Sequence, residues 1–464
     1  MSFPLPIPEE YDVSTRTGFL PDKLPLAKLP EYFSQWDHIA QELPHLIVTK
    51  RVRQVIDSMP KLDANKLQTE QEWQRAVSIL GFLVHAYVWS LPAPVDSVPV
   101  QLAEPMLIVN AHYDLPPVAT FAGLCLWNFR QLFDAEFELD SSLENGRPMI
   151  NKVPIQANWL DAISTLTTFT GAMDESWFYM VSVAIERQGA PFIGYGLDAV
   201  QAARDINVPH VVENLKKMAE TIDRTAAMLT RMYEFCDPHF FFFRHRPFMA
   251  GWGNMASAGL PQGVKFGNED FYRQHTGGSN GQSSLIQVFD ILLNVEHYPT
   301  GERKPPRMAG TAAPAEKAPA PHSSVPYLKA MRTYMPKRHR EFLEHLEKVA
   351  EIRDFVLANS AKHPELVVAY DACLATLKGL RSKHIQIVTR YVVMKAGEVA
   401  GNRHGLAQND GTVGTGGTVL LPFLKQARDE VGDAAAGEWG HRLLTTLEHE
   451  KPPQEPLPKG MSWS

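Results

Sequence analysis

The sequence predicts an all-α protein, and three observations lead to that fold class. Apolar residues recur every three or four positions in several long segments, which is the spacing of one face of an α-helix. Segments in which apolar and polar side chains alternate, the pattern of a half-buried strand, are scarce. The longest apolar stretch, Val77 to Leu91, is shorter than the ~20 residues of a membrane-spanning helix and ends before Pro92. We therefore expect it to form a helix of the hydrophobic core.

The other helices follow from the same spacing, in order along the chain. An amino-terminal helix is predicted from an apolar stripe that comprises Tyr32, Phe33, Trp36, Ile39, Ala40 and Leu43. Another helix is predicted over about Glu175 to Gln188. A third stripe comprises Phe342, Leu346, Val349, Ile352 and Val356. The last stripe comprises Leu374, Leu377, Leu380, Ile387, Val388 and Tyr391. Helices therefore supply most of the predicted core.

Composition and charge exclude several classes of partner. The 464 residues carry a formal net charge of −7 with both signs interspersed, which disfavours nucleic acid, and no cationic amphipathic segment indicates a membrane surface. Cys125, Cys236 and Cys373 are far apart and lack C-x-x-C spacing, which disfavours a disulfide framework and a zinc site. The amino terminus lacks the basic and apolar regions of a signal peptide. We therefore expect a cytoplasmic protein that binds a small molecule.

Three segments are not expected to form fixed elements. Residues 299–325 are polar and rich in proline and alanine, and we predict a mobile surface loop there. The proline-rich tail that begins at Lys451 is predicted to be disordered. Residues 410–418 are rich in glycine, and they are predicted to form a lid that closes over a bound ligand.

His384 is the most informative single residue. The apolar stripe that ends at Tyr391 places its imidazole on the buried face of a long helix. A buried histidine needs a partner, which is most often a backbone carbonyl or another side chain. The alternative is a metal, because a neutral imidazole is a common ligand. The residues of this helix alone leave both interpretations open.

Three further segments accompany the histidine helix. An aromatic run at residues 240–243 is followed by Arg244 and Arg246. A glycine-serine segment occupies residues 277–287, and a Gly-Thr-Gly-Gly-Thr segment occupies residues 414–418. In this order, and with further matching residues from about Tyr11 to about Val431, these segments resemble the indoleamine 2,3-dioxygenase family of haem enzymes. The glycine-serine segment is the most specific of them.

The resemblance implies a fold and a cofactor. It implies a small helical domain over residues 1–165 that caps a larger helical domain over residues 166–464. It also implies haem b held between long helices, with His384 as the proximal ligand of the iron. Arg381 and Asp290 match family positions that orient this histidine, and the arginine matches one that meets a haem propionate. Without the resemblance, these two residues would be interpreted as a surface ion pair, worth at most about 1 kcal/mol.

The resemblance further implies a pocket for an indole on the open face of the haem. Phe178 and Phe241 match its aromatic walls, and Phe121 and Leu124 are expected to line its deeper part. Before the resemblance is considered, phenylalanines in a run of four are more often simply core residues.

An amino-acid substrate also needs a cation for its carboxylate. Arg246 matches the family position that takes this role, and a guanidinium can hold a carboxylate with two parallel hydrogen bonds. From spacing alone, Arg244 could point inward instead. The family motif aligns with Arg246, Gly251 and Trp252, which favours Arg246. We therefore expect Arg246 to select the substrate and count it among the catalytic residues.

Ser182 is the second residue assigned to catalysis. It lies four residues after Phe178, so the two side chains share one helix face. Its hydroxyl is expected either to approach dioxygen or the indole nitrogen, or to bond a carbonyl one turn back. The sequence leaves both interpretations open. Related tryptophan 2,3-dioxygenases have a histidine at the comparable site, so a serine here argues against an obligatory general base.

The glycine-serine segment lacks the Gly-Lys-Ser/Thr ending of a phosphate-binding loop, so we do not expect it to bind a nucleotide. Its glycine backbone allows close approach to a ligand. The resemblance implies that Gly278 and Asn280 contact the substrate, with Asn280 near the amino group, and that Ser279 lies near a haem propionate. Some family members have alanine where Asn280 stands, which leaves the substrate range open.

Thr415 lies in the glycine-rich lid. The resemblance implies that its hydroxyl and amide bind the substrate carboxylate when the lid closes. A flexible loop without function is the alternative. Val419 stands where the family often has aspartate.

The resemblance implies a haem dioxygenase that inserts dioxygen across the C2–C3 bond of L-tryptophan or a related indoleamine and gives N-formylkynurenine. The implied partners are dioxygen, the indole and an electron donor, and the implied state is a monomer. One alternative is a haem enzyme acting on another indole or aromatic substrate. The other is an oxygen-binding or haem-sensing protein without turnover. Arg246, Ser182 and Thr415 favour an enzyme, because oxygen storage requires none of them.

Overall fold

The computed structural model describes residues 3–132, 149–150, 153–154, 159–302, 326–399 and 420–445. These residues are mainly helical, which confirms the predicted all-α fold class. The α-helices before residue 250 are α1 (Ser34–Val48), α2 (Val52–Asp57), α3 (Glu70–Trp89), α4 (Val100–His112), α5 (Met173–Gly189), α6 (Pro191–Arg204), α7 (Val208–Thr230), α8 (Met232–Phe235), α9 (Pro238–Phe240) and α10 (Arg246–Met249). Those after it are α11 (Ser284–Leu292), α12 (Tyr327–Ala330), α13 (Lys337–Val349), α14 (Ile352–Asn359), α15 (Pro364–Val388), α16 (Met394–Val399), α17 (Leu420–Asp433) and α18 (Glu438–Thr445).

The strands in these residues are short and contain two or three residues each. They are β1 (Ser97–Val98), β2 (Phe129–Gln131), β3 (Met149–Ile150), β4 (Val153–Pro154), β5 (Ile163–Thr165) and β6 (Lys265–Phe266). β1 pairs with β6 in parallel, whereas β2 with β5 and β3 with β4 are antiparallel pairs. Such short pairs connect loops, and the core is built by the helices.

The two long helices α7 and α15 lie side by side. The thiol of Cys373 in α15 donates a weak hydrogen bond to the carbonyl of Leu215 in α7 at 3.0 Å. The predicted apolar stripe of α15 is confirmed as a buried face, formed by Leu374, Leu377, Leu380, Ile387 and Val388. Burial of each such side chain contributes about 1.5–3 kcal/mol, so the stripe determines which way this helix faces.

The helices near the amino terminus agree with the prediction except at their ends. α3 forms the predicted core helix as far as Trp89, with residues 76–89 buried, and Ser90 and Leu91 follow the helix. In α1, the side chains of Trp36, Ile39, Ala40 and Leu43 are buried, as predicted. The prediction is wrong for Tyr32, which lies in a 3-10 turn before α1 and is 41% exposed.

The stripe from Phe342 to Val356 belongs to two helices. Ala350 follows α13 with φ −75° and ψ 89°, a backbone conformation that ends an α-helix, and α14 begins at Ile352. All five apolar residues of the stripe are nevertheless buried. The spacing therefore predicts the buried face correctly and misses the break.

Some predictions fall on parts of the chain that the structure does not describe. These are most of the loop at 299–325, the lid at 410–418 with Thr415, and the tail from Lys451. The hydrophobic core contains residues from both sides of position 165, and the division into two domains there stays a prediction. Among the helices described, none is long and apolar enough to cross a membrane.

Candidate active site

A cavity lies between α5, α7 and α15. Most of the residues predicted for the site line it: Phe121, Leu124, Phe178, Ser182, Phe241, Arg246, Gly278, Ser279, Asn280, Arg381 and His384. Three π-helical turns contribute to its walls, at Ala122–Leu126, Phe241–His245 and Thr389–Val393. Such turns carry one inserted residue, redirect the side chains that follow, and occur frequently at functional sites. Residues from positions 121 to 384 therefore meet in one place.

His384 presents its imidazole to this cavity from α15. No hydrogen bond joins the ring to any residue of the described chain. Burial, and then the positive charge of Arg381, lower the pKa of His384 to about 4, so the ring is neutral near pH 7. A neutral imidazole with a free nitrogen is the form in which histidine binds a metal.

The metal that suits this histidine is one that needs a single protein ligand. Within the described ranges, no group of three histidine, cysteine, aspartate or glutamate side chains is placed to hold a bare metal ion. Haem iron needs only axial ligands from the protein, because the porphyrin supplies the others. The apolar lining around His384, with Leu377, Leu380 and Ile387 on the same helix, also suits a porphyrin. The residues present therefore fit haem.

Arg381 and Asp290 form a buried ion pair beside this histidine. Nη2 of Arg381 donates to the two carboxylate oxygens of Asp290 at 2.6 and 2.7 Å. The two side chains are 12% and 6% exposed, so the interpretation as a surface pair is wrong. Burial opposes ionisation of Asp290, but the charges of Arg381 and His297 outweigh it and lower the pKa of the carboxyl group. Asp290 is hydrogen-bonded to Arg381 and His297, and neither Asp290 nor Arg381 has a described hydrogen bond to the ring of His384.

Arg381 also retains a donor for a ligand. Its Nε is buried and has no hydrogen-bond partner among the residues described. Buried donors without partners are rare in folded proteins, and this one belongs to a residue that lines the cavity. A guanidinium in this position fits an anionic group of a cofactor, such as a haem propionate.

A π-helical turn brings Phe241 and Arg246 to the same side. In an α-helix, side chains five residues apart point about 140° away from each other. Here the Arg246 amide donates to the Phe241 carbonyl, which closes a π-helical turn over Phe241–His245. Both side chains line the cavity as a result, and Arg246 is 8% exposed. Arg244, which spacing alone also allowed, is exposed to solvent.

Phe178 and Phe241 form an aromatic corner, with ring centroids 5.0 Å apart. The buried ring of His245 packs edge-on against both, at centroid distances of 5.1 and 5.6 Å. Burial lowers the pKa of His245 to about 3, so this ring is neutral, and its Nε2 lies 2.9 Å from the hydroxyl of Tyr179. Further apolar surface comes from Phe121 and Leu124. The corner fits a flat apolar ligand.

Helix α5 adds two polar groups to this wall. Phe178, Ser182 and Glu186 follow one another at intervals of four residues and all line the cavity. The Ser182 hydroxyl donates to the Phe178 carbonyl at 3.2 Å, which is the structural interpretation that the sequence left open. The residue also faces the cavity, so its oxygen can still accept a hydrogen bond from a ligand.

Glu186 was not predicted as a site residue, although its spacing of four residues from Ser182 was a usable signal in the sequence. Glu186 is 1% exposed, and one carboxyl oxygen accepts a hydrogen bond from the Ser283 hydroxyl at 2.5 Å. The other oxygen has no partner among the described side chains and backbone groups. Burial raises the pKa of Glu186 to about 7, and the hydrogen bond from Ser283 offsets only part of that effect.

The glycine-serine segment approaches the arginine segment at backbone distance. The amides of Trp252 and Gly253 both donate to the carbonyl of His275 at 2.9 Å. A Cβ on Gly251 or Gly277 would collide with the backbone of the opposite segment. Glycine at both positions therefore permits the contact that places Gly278, Ser279 and Asn280 at the cavity.

Several further residues that line the cavity were not predicted from sequence. They include Tyr327, Tyr391, Leu420, Phe423 and Leu424. The spacing of the last three is helical, and they lie on α17. That spacing predicts an apolar helix face without indicating what the face contacts.

Comparison with known proteins adds an independent line of evidence. The family model for indoleamine 2,3-dioxygenase matches residues 7–434. An indoleamine 2,3-dioxygenase of Saccharomyces cerevisiae is 40% identical over 455 residues, which cover 92% of this chain and 93% of the relative. An indoleamine 2,3-dioxygenase of Aspergillus candidus is 37% identical over 429 residues, covering 91% and 95%. A 6-hydroxytryptophan 2,3-dioxygenase of Fusarium equiseti is 35% identical over 435 residues, covering 91% and 96%.

The family match spans nearly the whole chain, and it includes every segment that contributes a described residue to the cavity. Relatives above 30% identity align along more than nine tenths of the chain. This protein is therefore an oxidoreductase that belongs to the indoleamine 2,3-dioxygenase family.

Proposed function

We propose that this protein binds haem b through His384 and inserts both atoms of dioxygen across the C2–C3 bond of L-tryptophan, giving N-formylkynurenine. The observation that carries the proposal is the meeting of a neutral histidine, a buried arginine and an aromatic corner in one cavity. The histidine suits haem iron, the arginine suits the carboxylate of an amino acid, and the corner suits an indole. Family membership supports the reaction class.

The proposed cofactor site consists of His384, Arg381 and Ser279. His384 would supply the protein ligand of the iron, and the Nε donor of Arg381 would bind a propionate, with Ser279, which also lines the cavity, as a further contact. Asp290 holds the guanidinium of Arg381 in place through its two hydrogen bonds. When bound and ferrous, haem supplies the activation of dioxygen, which side chains alone do not provide.

The proposed substrate site is formed by other residues that line the same cavity. Arg246 binds the carboxylate with two parallel hydrogen bonds, while Phe178 and Phe241 hold the indole plane. These walls exclude water, which strengthens the ion pair and restricts the indole to one orientation. The Ser182 oxygen accepts a hydrogen bond from the indole N–H, and it does not need to remove that proton. Thr415 stays a predicted partner of the carboxylate.

The first experiment follows product formation from L-tryptophan in air by haem-loaded, chemically reduced protein. N-formylkynurenine is measured by absorbance and by mass. We expect wild-type protein to form product and His384→Ala to lose stable haem binding and turnover. Full haem occupancy and turnover in the variant would refute the assignment of His384. No product from a wild-type protein that binds haem and dioxygen would refute the proposed reaction.

The second experiment compares Arg246→Leu with Arg244→Leu on two substrates. Loss of a buried charged hydrogen-bond partner should lower kcat/KM for L-tryptophan on the order of a hundredfold in Arg246→Leu. Indole lacks a carboxylate, so its turnover should change much less. Arg244→Leu is the matched control, because its guanidinium is exposed, and it should behave as wild type. Equal losses on tryptophan and indole would contradict the carboxylate role of Arg246.

A ring-hydroxylated tryptophan is the second candidate substrate. One relative is named for 6-hydroxytryptophan, and Asn280 adds a polar side chain to the cavity of this chain. The ratio of kcat/KM for the two amino acids, measured in wild type and in Asn280→Ala, distinguishes the candidates. A ratio that favours the hydroxylated compound only when Asn280 is present would replace L-tryptophan in the proposal.

A further inference from the structure

A buried chain of charged side chains runs from the helix that carries His384 to α17. Its first link is the pair of Arg381 and Asp290 described above. His297, which follows α11, continues it: Nε2 lies 3.1 Å from Oδ2 of Asp290, and Nδ1 lies 2.6 Å from Oε2 of Glu430. The side chains of Asp290, His297 and Glu430 are 6%, 11% and 1% exposed. Solvent and salt therefore screen these interactions little.

Glu430 belongs to α17, and both of its oxygens are occupied. Oε1 accepts hydrogen bonds from the Gln426 side chain at 2.7 Å and from the Tyr298 amide at 3.2 Å. The Gln426 side chain also donates to the carbonyls of Tyr298 and Pro299 and accepts from the Gly301 amide at 2.8 Å. One face of α17 is thus fastened to the segment that follows α11.

Another part of α17 forms a wall of the cavity. Leu420, Phe423 and Leu424 line it, and the Phe423 ring packs against the ring of Tyr327 with centroids 4.6 Å apart. These contacts are apolar and non-directional, so they restrain the position of the helix along its axis less than directional hydrogen bonds do. Glu430 makes such hydrogen bonds about two turns further along the same helix.

The two carboxyl groups that face His297 favour the protonated form of its ring. Asp290 from α11 and Glu430 from α17 face its two nitrogens, and Nη2 of Arg381 from α15 lies 3.4 Å from Nε2. Only an imidazolium donates from both nitrogens, whereas a neutral ring leaves a lone pair facing one carboxylate or accepting from Arg381. Burial lowers the pKa of His297, but Asp290 and the hydrogen bond to Glu430 outweigh burial and Arg381, so the pKa is raised overall.

We propose that His297 is a positioning residue: as an imidazolium it fastens α17 to the Asp290–Arg381 pair and thereby holds one wall of the cavity beside His384. The inference rests on the proposed function for what the cavity holds. The link that His297 makes between Asp290 and Glu430, called the His297 bridge, is tested independently of that function. The pKa of His297 in the folded state is above its ordinary value of 6.5. The stabilisation is therefore fully present below about pH 6.5 and is lost as the pH rises through the folded-state value.

The test is hydrogen exchange of the α17 amides, measured by mass spectrometry on the full chain with and without haem, from pH 5.5 to 9. After correction for intrinsic exchange, we expect wild-type protection of α17 to fall roughly tenfold to a hundredfold as the pH rises through the titration of His297. H297Q does not titrate, so its α17 should show the lower protection at every pH. E430Q removes one carboxylate, so the step should move to lower pH. In the haem-loaded protein, transfer of haem to an acceptor protein should accelerate over the same pH range.

H363Q is the matched control, because Nδ1 of His363 lies 3.1 Å from Oε1 of Glu365 and these side chains are 39% and 53% exposed. It should leave the exchange of α17 unchanged. Wild-type protection of α17 in H297Q, or a pH step that persists in H297Q, would overturn the inference. If H297Q does not fold, E430Q provides the test: a pH step in α17 protection that moves to lower pH supports the inference, and an unmoved step overturns it. Absence of tryptophan turnover would refute the proposed function, but it would not change the conclusion about His297 drawn from the hydrogen exchange of α17.

Discussion

Replacing Glu186 with glutamine should make the unfolding free energy of this protein fall less as the pH rises from about 5 to 8. The carboxyl group is buried at the cavity wall, and its pKa is raised from 4.5 to about 7 because burial disfavours the charged form. A group whose pKa is raised in the folded state contributes stability that is present below its ordinary pKa and is lost as the pH rises through the folded-state value. For Glu186, the loss therefore falls between about pH 4.5 and 7.

The size of the effect follows from that rise in pKa. At about 1.4 kcal/mol for each tenfold change in an ionisation constant, a rise from 4.5 to about 7 corresponds to ~3 kcal/mol. Glutamine keeps the shape of the side chain and an oxygen that accepts the hydrogen bond from Ser283. Its amide group occupies the place of the unpartnered oxygen, at a cost of ~1–3 kcal/mol that does not change with pH. The pH dependence is thus the informative quantity.

Urea unfolding of wild type and Glu186→Gln, each at several values between pH 5 and 9, measures this dependence. The difference in unfolding free energy between the two proteins should move in favour of the variant by about 2–3 kcal/mol from pH 5 to pH 8. Glu42→Gln, at an exposed position on α1, is the control and should show no such trend. A difference for Glu186→Gln that stays constant within about 1 kcal/mol over this range would refute the reasoning.

Three further predictions concern the backbone, the distal wall and the charges beside the histidine. Gly251→Ala should lower the unfolding free energy measured in urea by about 2 kcal/mol or more, because the new Cβ would collide with the carbonyl oxygen of residue 275. Gly379→Ala is the control: a Cβ at this position of α15 meets open space, so the substitution should raise the unfolding free energy by up to about 1 kcal/mol. Equal effects of the two alanines would contradict the close backbone packing. Ser182→Ala should change kcat/KM for L-tryptophan by less than about tenfold, because the hydroxyl proton is donated to a backbone carbonyl. A thousandfold loss of kcat/KM in steady-state assays would instead identify Ser182 as an essential proton acceptor. Asp290→Asn removes the negative charge that pairs with Arg381, so transfer of haem to an acceptor protein should be at least about tenfold faster. An unchanged transfer rate would show that the Asp290–Arg381 ion pair does not contribute to haem binding.

The sequence by itself determined the fold class and the facing of the main helices. Spacing of apolar residues is a local property, and a stripe buries the same face whatever it packs against, as Leu374 to Val388 in α15 demonstrate. The same locality explains why Phe178 and Ser182 share a face of α5. The order of motifs along the chain also identified the family, and the family match confirms it.

Tertiary structure decided which distant groups meet. Arg246 reaches the cavity because a π-helical turn inserts one residue after Phe241, and the apolar pattern of that segment does not encode the insertion. His297 and Glu430 are 133 positions apart, and nothing local to either indicates the partner. Tyr32 belongs to an apolar stripe and is nevertheless exposed, because its backbone turns before α1 begins. Periodicity thus determines the direction that a side chain takes from its own helix, while hydrogen bonds and charges between distant segments depend on how the helices pack together.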